Sequence, residues 1–126
     1  MLLNIVLSRE VASQNTWSWQ NPLPQGNRLE SVYFVNDQTG WAVGYKGTIM
    51  HTADGGTTWI QQSSGTTNDL FGVHFESPTL GYVVGLNATI LKTIDAGATW
   101  SPLTSSIPST TPLYSVFFIS SVRLKI

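Results

Sequence analysis

The chain has 126 residues, of which 41% are hydrophobic and 10% are charged, and its formal net charge is −1. With only 6 Lys and Arg residues, it lacks the clustered cations of an electrostatic nucleic-acid surface. It has no cysteine, which excludes disulfide and thiolate chemistry, and no apolar run approaches the ~18 residues of a membrane-spanning helix.

The N-terminal segment, residues 1–15, opens with a short apolar run, Met1 to Leu7. This run is shorter than the ~7–15 apolar residues of a secretory signal peptide, and no basic residues precede it. A remnant of a signal peptide and an ordinary first strand both fit it. The next stretch, residues 16–27, is predicted to be the tail of a repeat unit, because Thr16 to Gln20 resembles the end of the units that follow.

Residues 28–68 and 69–112 are two copies of one unit, and each contains the octet [ST]-x-D-x-G-x-T-W. The Asp, Gly and Trp of the two octets are all 41 residues apart, and a period of roughly 20–50 residues predicts a repeat architecture. A third copy opens at Leu113, but its pattern ends after Ser121. Residues 113–126 are therefore predicted to be a truncated unit in which an apolar-basic ending replaces the second strand. The repeated octet positions are Thr52, Asp54, Gly56, Thr58 and Trp59 in the first copy and Thr93, Asp95, Gly97, Thr99 and Trp100 in the second.

Each unit contains four short strand candidates, rich in β-branched and aromatic residues and bounded by Gly, Asn, Asp, Ser or Pro. No segment has apolar residues at helical spacing over ten residues or more. The predicted fold class is all-β, with β-propeller blades of four antiparallel strands over residues 28–62 and 69–103. Because closed propellers typically have ~4–8 blades, the chain is expected to be a fragment of a larger propeller.

The octet is predicted to be the turn between the third and fourth strands of each blade. The Asp side chain can hydrogen-bond the backbone about two residues on and so close an Asx-turn, and the Gly tolerates a positive φ. The Trp then supplies a large apolar surface. A catalytic group rarely recurs in every repeat, so these Asp residues are expected to be structural. The predicted core residues are Val32, Phe34, Val43, Ile49 and Trp59, with Val73, Phe75, Val84, Ile90 and Trp100 in the second blade.

The octet resembles the Asp-box, or BNR repeat, of sialidases, sortilin-type receptors and other propellers. The longer pattern, which adds L-x-x-V-x-F, [WY]-x-V-G and G-T-I, resembles the photosystem II assembly and stability factor family of β-propellers. The resemblance implies a non-catalytic module, in which the Asp-box rim is structural and the usual binding site lies on the opposite face. A phototrophic source would make the partner a photosystem II assembly intermediate.

Two alternatives remain, a piece of a sialidase-like Asp-box glycosidase and a piece of a sortilin-like or secreted carbohydrate-binding propeller. A sialidase site requires an arginine cluster, and this chain has only Arg9, Arg28 and Arg123. No sequence feature pairs two acids for hydrolysis. The two histidines, His51 and His74, lie far apart and no third ligand accompanies them, so no metal site is predicted.

The candidate binding surface follows from strand parity. In an antiparallel four-stranded blade, turns 1–2 and 3–4 lie on one rim, while turn 2–3 and the inter-blade connector lie on the other. The predicted partner-binding rim carries Tyr45, Lys46, Leu86 and Asn87. We expect a protein partner outside the cytoplasm, in a secreted, periplasmic or thylakoid-lumen setting. No cofactor, nucleic acid or membrane span is predicted, and the fragment is expected to self-associate.

Overall fold

The computed structural model describes residues 26–120 and 123–125. The predicted N-terminal segment, residues 1–15, and nearly all of the predicted blade tail, residues 16–27, lie outside the described residues. Among the described residues, no helix is long and apolar enough to cross a membrane. Their helical content consists of two single 3-10 turns, at Tyr45–Gly47 and Leu86–Ala88.

The first blade is an antiparallel sheet of four strands in chain order. Its turns use short polar residues, as in the 1–2 turn, where the Asn36 Oδ1 accepts N–H bonds from Gln38 and Thr39, both at 2.8 Å. The carboxamide replaces a backbone carbonyl and closes the turn locally. The strands are β1 (Leu29–Phe34), β2 (Gly40–Gly44), β3 (Thr48–Thr52) and β4 (Ile60–Gln62).

The second blade repeats this arrangement, again as a four-stranded antiparallel sheet in chain order. The all-β class and the four-stranded blades predicted from the repeat are confirmed. The strands are β5 (Leu70–Phe75), β6 (Gly81–Gly85), β7 (Ile90–Thr93) and β8 (Ser101–Pro102).

The third unit departs from the prediction. Strand β9 (Phe117–Ser120) pairs in antiparallel fashion with β10 (Arg123–Lys125), with a register shift between Arg123 and Leu124. The expectation that the second strand is lost in this unit was therefore wrong. Strand pairing depends on backbone groups, so the unit forms a second strand without the Gly-aromatic-x-Val-Gly pattern of the other copies.

The main core lies between the two blades. Trp41, Val43 and Ile49 of the first blade face Val73 and Phe75 of the second in one buried cluster. The rings of Trp41 and Phe75 are stacked, with centroids 3.5 Å apart and planes 14° apart. A smaller cluster on the other face of the second blade covers Val84 and Ile90 with Leu113 and Val116 of the third unit. Each blade thus buries its apolar residues against a neighbouring unit, as repeat architectures require.

Three of the predicted core residues are only half-buried: Val32, Phe34 and Trp59. Their counterparts in the second blade, 41 residues later, lie on the face that packs against the first blade. By the same geometry, these three residues lie on the face of the first blade that points away from the second. The described residues include no blade before the first one, which explains the lower burial. The other seven predicted core residues are buried.

Candidate functional site

The two rims of the blades are distinguished by their hydrogen bonds. On one rim, the 1–2 turn and the 3–4 turn of the same blade are joined by a backbone bond. The Gly55 N–H donates to the Gln38 carbonyl at 2.8 Å, and in the second blade the Ala96 N–H donates to the Thr79 carbonyl at 3.1 Å. The 2–3 turns and the connectors between blades lie on the opposite rim, as strand parity predicts.

The octet turn of the first blade is closed by its own side chains. The Asp54 carboxylate accepts the Thr58 N–H at 2.8 Å, the Thr58 hydroxyl at 2.5 Å and the Thr52 hydroxyl at 2.8 Å. The buried Thr52 hydroxyl also accepts the Gly56 N–H at 2.9 Å. The Thr58 hydroxyl and N–H, followed by the Thr52 hydroxyl, lower the pKa of Asp54, because they stabilise the ionised carboxylate.

The second octet has the same bonds. The Asp95 carboxylate accepts the Thr99 N–H at 2.9 Å and hydroxyl at 2.6 Å, and the Thr93 hydroxyl at 2.8 Å. The Thr93 hydroxyl accepts the Gly97 N–H at 2.7 Å. These bonds lower the pKa of Asp95, with the Thr99 hydroxyl as the largest cause. In both turns the carboxylate satisfies backbone and hydroxyl donors of its own loop.

The second octet is also held by the first blade. The Trp41 Nε1–H donates to the Ala96 carbonyl at 3.1 Å, and the Gln62 Nε2 donates to the same oxygen at 3.2 Å. The Trp100 Nε1–H in turn donates to the Gln62 Oε1 at 3.4 Å. A Cβ at Gly97 would lie 2.1 Å from that Oε1. Sequence reasoning missed Gln62, because nothing local shows that its partners are more than 30 residues away.

The opposite rim carries the two 3-10 turns. Lys46 and Asn87 each occupy the second position of their turn, with φ 57° in both cases, and both are exposed. A positive φ is uncommon for residues other than Gly, and Asn adopts it more readily than Lys. The Asp69 Oδ1 accepts the Lys46 N–H at 2.9 Å, so the connector of one blade holds the turn of the previous blade.

A repeated polar clamp fixes the start of the third strand behind each turn. The Asn27 Nδ2 donates to the Thr48 hydroxyl at 2.9 Å, and the Asn68 Nδ2 donates to the Thr89 hydroxyl at 2.8 Å. Each threonine hydroxyl donates to the carbonyl of the first turn residue, at 2.7 and 2.6 Å. The sequence signal for this clamp is an Asn that recurs after 41 residues at the end of each connector, and it was overlooked.

A shallow depression of about 320 Å³ adjoins the first of these turns. Lys46 and Gly47 form one side, and the polar segment 61–67 forms the other. The Ser64 hydroxyl donates to the Gly47 carbonyl at 2.6 Å, which draws the connector against the turn. The depression thus presents one cation among amide and hydroxyl groups, a surface suited to a polar or acidic segment of a partner.

Aromatic side chains extend from this rim towards the first strands of the blades. Tyr45 lies under the Arg28 guanidinium, 5.3 Å from the ring centre, and its ring meets that of Phe71 edge-on at 6.5 Å. Phe71 stacks on Tyr114 at 5.1 Å. Only Tyr45 was predicted for the binding surface. Arg28, Phe71 and Tyr114 were missed, because they belong to three different units and no local pattern connects them.

The two histidines lie in separate ring contacts. His51 packs against Trp41 at 5.1 Å and His74 against Tyr33 at 4.6 Å. Burial lowers the pKa of both histidines, and the Glu76 charge partly opposes this effect at His74. Over residues 26–120 and 123–125, no group of three or more His, Cys, Asp or Glu side chains is placed to hold a metal ion.

The structure places Tyr45, Lys46, Leu86 and Asn87 on one rim and both octets on the other. Tyr45 and Leu86 are equivalent turn residues, and both are half-buried. The Asn87 Nδ2 donates to the Asn68 Oδ1 at 3.3 Å, which joins this second turn to its connector. The geometry brings the four residues to a common edge, and their part in binding remains a prediction.

The chain is similar to known proteins in three comparisons: with a family model, with a curated protein and with solved structures. Residues 9–70 match a family described as "photosynthesis system II assembly factor YCF48". A curated relative, the chloroplastic "photosystem II stability/assembly factor HCF136" of Guillardia theta, is 40% identical over 52 residues, which is 39% of this chain and 13% of the relative. The resemblance inferred from the repeat is confirmed: the chain is similar to photosystem II assembly factors of the Ycf48/Hcf136 type.

Two solved structures share the fold. One is described as "YCF48 bound to D1 peptide", with a TM-score of 0.66 and 27% identity over 78% of this chain and 32% of that one. The other is YCF48 from Cyanidioschyzon merolae, with a TM-score of 0.61 and 27% identity over 68% of this chain and 29% of that one. The chain thus spans about a third of the length of these propellers.

Proposed function

We propose that this chain is a non-catalytic part of a β-propeller that binds a photosystem II polypeptide through the rim opposite the octet turns. The observation that carries the proposal is the similarity to a YCF48 structure bound to a D1 peptide, over 78% of this chain. The relatives are described as assembly or stability factors, which favours a binding role over catalysis. We place this binding outside the cytoplasm, in the compartment that the family resemblance implies.

The choice of rim rests on how the two rims use their polar groups. On the octet rim, both carboxylates and the nearby hydroxyls are engaged in closing their own turns. On the other rim, Lys46 and Asn87 are exposed at the tips of turns that the connectors hold from behind. Binding residues are commonly found on such loops, carried by a rigid scaffold. This rim therefore offers exposed groups whose backbone is already fixed.

The depression beside Lys46 supplies the charge for the proposed contact. An exposed ion pair contributes up to about 1 kcal/mol. Loss of the Lys46 ammonium should therefore lower the affinity for an acidic peptide by roughly twofold to fivefold. The contact should weaken further as salt rises, because exposed charges are screened. A polar rim of this kind gives specificity more than affinity.

The test uses the whole chain and overlapping peptides that tile the D1 protein, measured by fluorescence anisotropy. Lys46→Gln should weaken the peptides that bind, whereas Lys92→Gln should not. Lys92 is a matched control, because it is half-buried on the face of β7, where its Nζ lies 5.8 Å from the Tyr82 ring centre. Far-UV circular dichroism should show that both variants are folded.

Two outcomes would reject the proposal. One is that no D1 peptide binds to the folded chain. The other is that both lysine variants bind equally well while a folded variant of the octet rim, Ala53→Glu, loses binding. Ala53 is exposed in the first octet turn, so its substitution introduces a charge without removing a turn bond.

A further inference from the structure

His51 occupies the repeat position at which the second blade holds a permanent cation over an aromatic ring. In the second blade, Lys92 lies opposite Tyr82 in the strand pairing, and its Nζ is 5.8 Å from the ring centre. In the first blade, 41 residues earlier, His51 lies opposite Trp41, with ring centroids 5.1 Å apart. The contact between Trp41 and Phe75, which joins the two blades, is here named the blade joint. We propose that His51 is a pH-sensitive switch for the blade joint, which is tight when the imidazole is neutral and loosens when it is protonated.

The imidazole stands at one end of a series of ring contacts that crosses from one blade to the other. Residues directly opposite each other in a sheet share a face, so His51 and Trp41 both lie on the face that meets the second blade. Trp41 is fully buried and stacks on Phe75, with centroids 3.5 Å apart. Tyr33 continues from Phe75 at 6.4 Å, and His74 ends the series 4.6 Å from Tyr33. A charge at His51 therefore acts directly on a ring of the blade joint.

The two equivalent positions differ in how they carry a charge. The Lys92 ammonium is at the end of a long flexible stem and can keep its hydration beside Tyr82. The His51 imidazole is attached to its strand through a single methylene group and is half-buried, so an imidazolium there loses hydration. Burial accordingly lowers the pKa of His51. The attraction of a cation to the Trp41 ring face acts in the opposite direction, so the sign of the shift is a direct test of the argument.

The elements packed on this face carry few other ionisable groups. Strands β2, β3 and β4 contain none apart from His51 itself. Glu30 is paired with Arg28, and the two octet carboxylates accept hydrogen bonds within their own turns. The ionisable residues of the remaining elements around the joint are Glu30 and Tyr33 of β1, His74 of β5, and Asp54 and Asp95 of the octet turns.

Acidification therefore acts against the folded joint. Because the folded-state pKa of His51 lies below the ordinary histidine value of about 6.5, the unfolded chain takes up the proton more readily. The stability that the neutral imidazole contributes is present above that ordinary value and is lost as the pH falls through the lowered one. The change also reaches the second octet, because the Trp41 Nε1–H donates to the Ala96 carbonyl at 3.1 Å. The Trp41 indole N–H is thus a local reporter of the joint.

The experiment follows the whole chain between pH 7.5 and 5.0, a range in which ordinary carboxylates stay ionised. In NMR spectra, the His51 imidazole should titrate with a midpoint below about 6.5, and the Trp41 indole N–H signal should move with the same midpoint. The urea midpoint of the wild type should fall over this range, and His51→Gln should lose most of that fall. His74→Gln is the matched control and should retain most of it, because the Glu76 charge partly opposes the effect of burial at His74.

Three results would overturn the proposal. A His51 midpoint at or above about 6.5 would show that the Trp41 ring stabilises the charge and that protonation does not loosen the joint. An indole N–H signal that does not follow the His51 titration would show that the charge does not reach Trp41. A fall in the urea midpoint that persists in His51→Gln but disappears in His74→Gln would assign the pH effect to the other end of the ring series. The wild-type titration needs no variant, so it decides the matter even if His51→Gln does not fold. Peptide binding enters none of these measurements, so the proposed function stands or fails separately.

Discussion

Replacing Phe75 with alanine tests whether the stability of this chain resides between its blades. The Phe75 side chain is 1% exposed. Its ring stacks on Trp41 with centroids 3.5 Å apart and meets Trp100 edge-on at 5.9 Å. Removing a well-packed buried phenylalanine costs about 3–5 kcal/mol through lost transfer energy and the cavity that remains. Since a domain is stable by only about 5–15 kcal/mol, this loss is a large part of the total.

The matched control is Phe34→Ala, at the equivalent position of the first blade. The Phe34 side chain is half-buried, and its ring meets the Trp59 ring edge-on with centroids 6.0 Å apart. Because the half-buried Phe34 side chain removes less apolar surface from water, the cost of Phe34→Ala should be roughly a third to a half as large, about 1–2.5 kcal/mol. The sequence alone predicts equal costs, since both residues occupy the same place in the repeat.

Urea unfolding, followed by circular dichroism, measures the difference. With a slope of about 2 kcal/mol/M, Phe75→Ala should lower the midpoint by roughly 1.5–2.5 M and Phe34→Ala by roughly 0.5–1.2 M. If Phe75→Ala does not fold, Phe75→Leu retains most of the volume and should still lower the midpoint more than Phe34→Leu does. Equal shifts for the two positions would refute the argument that packing between the blades causes the difference.

Two further predictions concern the octet turns. Gly97→Ala should destabilise the chain by about 1–2 kcal/mol more than Gly65→Ala. Both glycines have a positive φ, but of the two only Gly97 has a close neighbour, the Gln62 Oε1, whose hydrogen bonds the new methyl group would disrupt. Equal urea midpoints for the two variants would contradict this prediction. Hydrogen bonds from threonine hydroxyl and N–H groups hold the folded-state pKa values of Asp54 and Asp95 below the ordinary value of an aspartate. Their contribution to stability is therefore present above that ordinary pKa and is lost as the pH falls through the lowered values. Urea midpoints measured down to about pH 2 should therefore fall less for the doubly substituted Asp→Asn chain than for the wild type, and parallel curves would show that these carboxylates do not govern acid sensitivity.

The sequence determined the features that arise from neighbours along the chain. The 41-residue period, the four strands of each blade and the positions of the turns could all be predicted from it. The turns at Asn36 and Asp54 close with partners two to four residues away, so their chemistry can be inferred from a short window. Strand parity then placed the octets and Lys46 on opposite rims without any knowledge of tertiary contacts.

Only the tertiary structure determined the burial and the contact partners of residues at equivalent positions of the repeat. Phe34 and Phe75 occupy the same place in the repeat, yet one is half-buried and the other is covered by the preceding blade. Gln62 bonds to the Ala96 carbonyl, 34 residues away, and Phe71 meets Tyr114 of the next unit. These contacts depend on the packing of one blade against another and on the register shift of β5 between Leu70 and Gly72. The repeat pattern determines which residues each blade contains. The position of a blade among the others determines which neighbour covers each of its faces.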